Sequence, residues 1–152
     1  RFGLVLDSVV NDFVCGELEH AIVSCEAELA PDLMVLEGQS ALRNPGGPCG
    51  AELLLAGGAK SVVLQHVPAR RWFDGHEGHE IPPVTSEIEL IWSYGARTLA
   101  LTLNGEGMRD DELVRVQRDL EDDLGIPVIR PLAEGVDRLV PLARALLAGV
   151  KQ

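Results

Sequence analysis

The apolar positions of this sequence alternate between segments of helical spacing and continuous runs. Helical spacing predicts five helices, over residues 8–26, 49–56, 85–94, 110–124 and from 139 onward. Unbroken apolar runs predict four buried strands, at residues 33–37, 61–66, 98–103 and 128–129. Because strands and helices alternate throughout, the pattern predicts a three-layer α/β/α fold with a mostly parallel sheet.

The run at residues 33–37 differs from the others because it ends at an acidic residue. Glu37 closes the run and Gly38 follows at once, so a carboxylate would stand at the carboxyl edge of a buried strand. Glycine at this place would let a ligand approach the backbone closely. We therefore interpret the segment as the end of an active-site strand, where Glu37 holds magnesium or acts as a base. The alternative is a structural carboxylate that caps a helix or bonds the loop.

Polar residues also follow the other predicted strands, at His66, Asn104 and Arg130. Parallel strands bring their carboxyl ends to one edge of a sheet, so we expect these side chains to converge with Glu37. The long polar segment 67–83 would fold over them, since loops of that length are often functional. Asn104 would either contact the edge of an adenine base or form a turn.

The segment 67–83 contains two further candidate sites. Arg70 and Arg71 suit bidentate recognition of a carboxylate or phosphate, and the alternative is surface salt bridging. The His- and Glu-rich residues 74–80 resemble a metal site in composition. We expect no metal there, because a glycine-rich loop has no helical register with which to aim the imidazoles.

Four more polar residues lie near the first helix and near Glu37. Gln39 and Ser40 would either hydrogen-bond a ligand or shape the turn. Asp7 and Asp12 flank the start of the first helix, where the structural interpretation is a cap, supplied by Asp7 or its neighbour Ser8, and a solvated carboxylate.

Composition and charge restrict the class of protein. The 152 residues suit a single domain, spanning 1–152, with a proper core. Lys and Arg total 13 against 24 Asp and Glu, and the resulting net charge of −11 argues against a nucleic-acid partner. No apolar run is long enough to span a membrane. The three cysteines form no CxxC motif, so we expect reduced thiols in a cytoplasmic protein. The predicted partner is a small-molecule substrate, and the many apolar helix faces of this acidic chain suit a homo-oligomer.

Several motifs together resemble the C-terminal domain of the DgcN family. They are Asp7-Ser8-Val9-Val10-Asn11-Asp12-Phe13, Glu37-Gly38-Gln39-Ser40, His66-Val67-Pro68-Ala69-Arg70-Arg71, Ile81-Pro82-Pro83, Glu87-Ile88 and Leu101-Thr102-Leu103-Asn104. The likeness runs through nearly the whole chain in the same order. It implies a P-loop NTPase-like domain that follows a Rossmann-like domain and a Walker-type phosphate loop in a longer protein. The sequence itself contains no GxxxxGK(S/T), GxGxxG or GxSxG motif.

The resemblance also implies an activity, the N-acetylation of D-glutamate or a similar D-amino acid by acetyl-CoA. The upstream phosphate loop would hold the CoA phosphates, so this chain alone should not turn over. No metal is implied. Carried onto this sequence, the catalytic candidates are Glu37 and His66, the substrate-binding candidates are Gln39, Ser40, Arg70 and Arg71, and the cofactor-binding candidates are Asp7, Asp12, Gly38 and Asn104.

Two other classes of function stay open. A ligase or kinase that uses ATP or GTP with Mg²⁺ follows directly from a P-loop fold, with Glu37 on the metal ion. Dependence on magnesium would separate this class from acetyl transfer, which should survive EDTA. The third hypothesis is a non-catalytic ligand-binding or assembly domain.

Overall fold

The computed structural model of the protein describes residues 2–5, 8–38, 41–47 and 50–149. The chain divides into two compact units, Arg1–Lys60 and Ser61–Gln152, which are described separately below. A single domain over 1–152 stays a prediction. Within the described ranges, no helix is both long and apolar enough to cross a membrane.

Helices supply the regular structure described in the N-terminal unit. A 3₁₀ turn at Asn11–Phe13 leads into α1 (Val14–Leu29), and α2 (Gly50–Leu55) follows later in the unit. The helix predicted from residue 8 begins later because Val10 is extended, with φ −59° and ψ 131°. The helix ends where Ala30 takes the left-handed conformation, with φ 42°, and donates its N–H to Glu26 O at 2.8 Å.

The predicted strand at residues 33–37 is wrong, because these residues form no strand in the structure. Their side chains nevertheless alternate, with Met34 and Leu36 half-buried and Val35 and Glu37 exposed. This two-residue period is typical of extended backbone. Leu36 packs where a side chain on Gly57 would otherwise lie, since a Cβ built at Gly57 would be 2.6 Å from Leu36 Cδ1. The segment has the pattern of a strand without the hydrogen-bonded neighbour that a strand requires.

The C-terminal unit contains the sheet and its helices. In chain order they are β1 (Ser61–His66), β2 (Trp72–Phe73), β3 (His76–Glu80), α3 (Val84–Ser93), β4 (Arg97–Leu103), α4 (Asp110–Leu124), β5 (Val128–Ile129), α5 (Pro131–Glu134) and α6 (Val140–Gly149). A parallel three-stranded sheet has the order β1-β4-β5, so β4 pairs on both sides. The predicted α/β class and mostly parallel sheet are confirmed.

The core of this unit lies against the central strand. Its buried cluster consists of Val84, Leu101, Leu103, Leu113 and Val128. Leu101 and Val128 are fully buried, which agrees with their place in neighbouring parallel strands. The amphipathic helix α4 contributes Leu113 and ends at Gly125, whose φ of 64° suits a residue without a side chain. Burial from both sides fixes β4 and therefore the position of the residues that follow it.

The polar segment 67–83, predicted as one long loop, contains a β-hairpin, so the prediction of a loop throughout the segment is wrong. Strands β2 and β3 pair antiparallel, with Trp72 opposite Glu80 and Phe73 opposite His76. The turn between them is Asp74-Gly75, and Gly75 supplies the positive φ of 73°. Phe73 is buried and anchors the hairpin through its apolar ring.

Candidate functional site

The carboxyl ends of the three parallel strands carry His66, Asn104 and Arg130. His66 ends β1 opposite Leu103, and Asn104 follows directly on the neighbouring strand β4. The backbone N–H of Asn104 donates to His66 O at 2.9 Å, which continues the ladder one step beyond the strands. The structure thus brings His66 and Asn104 together at one edge of the sheet.

The imidazole of His66 is half-buried at this edge. Burial lowers the pKa of His66 from 6.5, because desolvation penalises the charged ring. The ring makes no hydrogen bond to any other residue that the structure describes. A neutral imidazole with free nitrogen atoms can accept a proton from a ligand or hydrogen-bond to it.

Arg70 connects the loop after β1 with the loop after β4. Its backbone N–H donates to Val67 O at 3.1 Å, which closes a turn four residues beyond His66. Its guanidinium forms a salt bridge with Glu106. The backbone N–H of Glu106 in turn donates to Asn104 Oδ1 at 3.0 Å. The side chain of Asn104 therefore shapes the turn in this structure, and the two loops form one connected edge.

Arg71 has a different environment from its neighbour. Its Nε and Nη2 atoms donate to Glu80 Oε1 at 2.9 and 2.7 Å. The guanidinium lies 4.4 Å from the centroid of the Trp72 ring, in a cation–π contact. These contacts join one end of β3 to the residues before β2, so Arg71 braces the hairpin.

Arg130 is held by a polar network beneath the end of β5. Its Nε donates to Gln117 Oε1 at 2.7 Å, and its backbone N–H donates to Glu134 Oε1 at 3.0 Å. Gln117 Nε2 donates to Glu134 Oε1 and to Val128 O, both at 2.8 Å. The network supplies hydrogen-bond partners for the buried Gln117 side-chain amide and fixes the start of α5. Arg130 consequently has a structural role here.

The remaining candidates belong to the N-terminal unit. Glu37 and Gly38 are exposed and follow no strand, and Asp12 is exposed in the 3₁₀ turn. Asp7, Gln39 and Ser40 lie outside the described residues. The functional roles of all these residues stay predictions.

The described residues offer neither a cluster of metal ligands nor, at α4, a helix start suited to phosphate. They contain no group of three or more His, Cys, Asp or Glu side chains that could hold a metal ion. Helix α4 begins right after the Asn104 loop, but its first turn carries Asp110, Asp111 and Glu112. Glu112 accepts the N–H of Arg109 at 3.3 Å, so the chain's own carboxylate occupies this helix start. Such a turn repels the phosphates of CoA or a nucleotide.

Sequence reasoning missed Glu106. The residue lies in Asn104-Gly105-Glu106-Gly107, a glycine turn that follows a buried strand. The pattern that singled out Glu37-Gly38 selects Asn104 here, so Glu106 is identified only through its contact with Arg70. The loop is also closely packed, since a Cβ at Gly105 would lie 2.6 Å from Leu113 Cδ2.

A parallel sheet with polar groups at its carboxyl edge defines an α/β domain of the kind that binds ligands at that edge. The family model described as "Domain of unknown function (DUF1611_C) P-loop domain" matches residues 1–140. The chain therefore belongs to the DUF1611 family through this P-loop domain.

Curated relatives and a solved structure agree with this assignment. The chain is 24% identical to a D-glutamate N-acetyltransferase from Tritonibacter scottomollicae, over 95% of this chain and 44% of that protein. It is also 24% identical to a D-glutamate N-acetyltransferase from Pseudoalteromonas sp, over 91% of this chain and 43% of that protein. The chain thus spans less than half the length of these relatives.

The structural comparison concerns the fold. A crystal structure of a DUF1611 family protein from Anabaena variabilis ATCC 29413 superposes with a TM-score of 0.79 and 22% identity. The match covers 99% of this chain and 43% of that one. It shows that the same fold occurs within a longer family member.

Proposed function

We propose that the full-length protein containing this chain is an N-acetyltransferase that transfers the acetyl group of acetyl-CoA to D-glutamate or a similar D-amino acid. The names of the two curated relatives support the reaction class. The single structural observation that carries the proposal is the edge formed by His66, Asn104 and Arg70. It combines a half-buried neutral imidazole with a guanidinium, which suits an acceptor that carries both an amine and carboxylates.

The reaction requires a base and a group that binds the acceptor. The amine nitrogen forms a bond to the acetyl carbon, the carbon–sulfur bond breaks, and CoA leaves as a thiolate. The proton lost by the amine goes to His66 in this proposal, because burial keeps that imidazole neutral and able to accept it. Arg70 binds a carboxylate of the acceptor through its guanidinium.

The other roles in the proposed reaction stay with the candidates predicted from the sequence. Glu37 is a second candidate base, and Gln39 and Ser40 orient the acceptor. Asp7, Asp12, Gly38 and Asn104 stay the predicted candidates for binding acetyl-CoA. The CoA phosphates require a cradle other than the acidic start of α4. A cytoplasmic location and a homo-oligomeric state accompany this proposal as predictions.

Thiol release from acetyl-CoA by the full-length protein tests the proposal. The assay contains EDTA and compares D-glutamate, L-glutamate and no acceptor. We expect release that requires D-glutamate and is unaffected by EDTA. Equal release with and without D-glutamate would contradict the proposal.

The P-loop family assignment favours a second candidate function, an ATP- or GTP-dependent ligase or kinase with Mg²⁺. Phosphate release from either nucleotide that stops in EDTA, without thiol release from acetyl-CoA, would support this candidate. The same assay mixture, run with and without the metal ion, thus separates the two classes.

A further inference from the structure

We propose that Glu106 is an internal counter-ion that occupies Arg70 until a carboxylate of the ligand replaces it. In this proposal Arg70, and not the adjacent Arg71, binds the ligand carboxylate, and Glu106 is a specificity-determining residue. The identity of the ligand as an acidic amino acid rests on the proposed function. The exchange of one carboxylate for another rests on the geometry of the described residues.

The first argument is the contrast between the two arginines. Arg71 makes two hydrogen bonds to Glu80 and stacks on Trp72, and its side chain is 70% exposed. The side chain of Arg70 is only 32% exposed and reaches across to the loop after β4. A ligand that bound Arg71 would displace these contacts within the hairpin, whereas the Arg70 guanidinium contacts Glu106 in the loop that follows Asn104 at the carboxyl edge of the sheet.

The second argument is the incomplete use of the Arg70 guanidinium. In the described part of the chain, its one side-chain hydrogen bond is from Nη2 to Glu106 Oε2. A guanidinium can form two parallel hydrogen bonds with a carboxylate. A ligand carboxylate that binds in this bidentate way would therefore make a stronger contact than Glu106 makes in this structure.

The third argument is the ease with which Glu106 can leave. Its side chain is 59% exposed, and it lies between Gly105 and Gly107. Its backbone is held by Asn104, so the side chain can turn to solvent while the turn stays in place. An exposed ion pair contributes little free energy. Loss of the pair between Arg70 and Glu106 therefore corresponds to a change in ligand affinity of about threefold.

Isothermal titration of the full-length protein tests the exchange. The probes are D-glutamate and glutarate, which carry the carboxylates with and without the amine. We expect Glu106→Gln to lower the dissociation constant of both probes about threefold, because the competing charge is gone. Glu80→Gln is the matched control, since it removes the same charge from the partner of Arg71, and it should leave the constant unchanged. Arg70→Gln should abolish measurable binding.

Several results would overturn the inference. They are weaker or unchanged binding in Glu106→Gln, the same gain in Glu80→Gln, or unchanged binding in Arg70→Gln. Circular dichroism melts of each variant establish that the fold is retained before the affinities are compared.

Failure of the proposed function has a separate signature. If glutarate binds more tightly to Glu106→Gln than to wild type but neither protein transfers acetyl to D-glutamate, the counter-ion proposal is supported and the transferase proposal is wrong. If acetyl transfer occurs but the dissociation constant of D-glutamate is the same in Glu106→Gln and wild type, the transferase proposal is supported and the counter-ion proposal is wrong.

Discussion

The same sequence pattern leads to different local structures in the two compact units of the chain. Both contain an apolar run that ends in a polar residue and a glycine, at Glu37-Gly38 in one unit and Asn104-Gly105 in the other. In the C-terminal unit the run becomes β4, which pairs with strands on both sides. In the N-terminal unit residues 33–37 form no strand, and Val35 is 85% exposed whereas Leu101 is 0% exposed. A strand therefore depends on its neighbours as much as on its own apolar pattern.

The largest effect should come from truncating the core of β4. Leu101→Ala removes a fully buried side chain from the central cluster and should lower the free energy of unfolding by about 3 kcal/mol. Val35→Ala is the matched control, since this exposed side chain should contribute less than about 0.5 kcal/mol. Urea unfolding of both variants measures the difference. Equal losses would show that residues 33–37 are buried in the protein as β4 is.

The same contrast explains how much of the fold could be predicted from the sequence. The ranges of β1 and β5 were predicted to the residue and β4 to within one, because continuous apolar runs become strands when parallel partners are present. The hairpin of β2 and β3 was missed because its strands are short and polar. The Asp74-Gly75 turn was the one signal that could have revealed it.

The candidate site was predictable only in part. His66 and Asn104 could be assigned to one edge, because the carboxyl ends of parallel strands meet there. The separate partners of Arg70 and Arg71 could not be predicted, since adjacent residues in a loop have no periodicity that fixes their directions. Glu106 became apparent only when its contact with Arg70 joined two distant loops.

The next largest effect should be on the rate of acetyl transfer, which tests in which of the two units the catalytic base lies. If His66 is the base, His66→Asn should lower the rate of acetyl transfer by about 100-fold, the usual contribution of a general base. Glu37→Gln, a variant in the N-terminal unit, is compared with His66→Asn. The steady-state thiol-release assay measures the rate of acetyl transfer by both variants. A loss confined to Glu37→Gln would place the base in the N-terminal unit and remove His66 from the reaction.

A smaller loss, in the free energy of unfolding, should follow from breaking the ion pair between Glu121 on α4 and Arg138. Arg138 Nη2 donates to Glu121 Oε1 at 2.6 Å, and the N–H of Val128 donates to Glu121 Oε2 at 3.0 Å. Glu121→Gln should cost about 1 kcal/mol, because the bonds involve a charge but remain partly exposed to solvent. Asp122→Asn, an exposed neighbour on the same helix, is the control in urea unfolding. Equal midpoints for the two variants would exclude the pair as a stabilising contact.

Hydrogen bonds from Arg138 and Val128, with the charge of Arg138, lower the pKa of the Glu121 carboxyl, so the stability from this pair should disappear as the pH falls.

The smallest predicted effect is a dependence of stability on pH that comes from His66. Burial lowers its pKa in the folded state, so the unfolded chain binds more protons as the pH falls below about 6.5. The stability from the neutral ring is therefore present above that pH and is lost as the pH falls through the lower, folded-state pKa. His66→Asn should remove this part of the pH dependence, whereas His79→Asn, at an exposed position of the hairpin, should retain it. Thermal melts between pH 7 and pH 5 compare the two variants with wild type. An unchanged slope in His66→Asn would mean that the ring is hydrated at the edge of the sheet, and the argument for a neutral base there would fail with it.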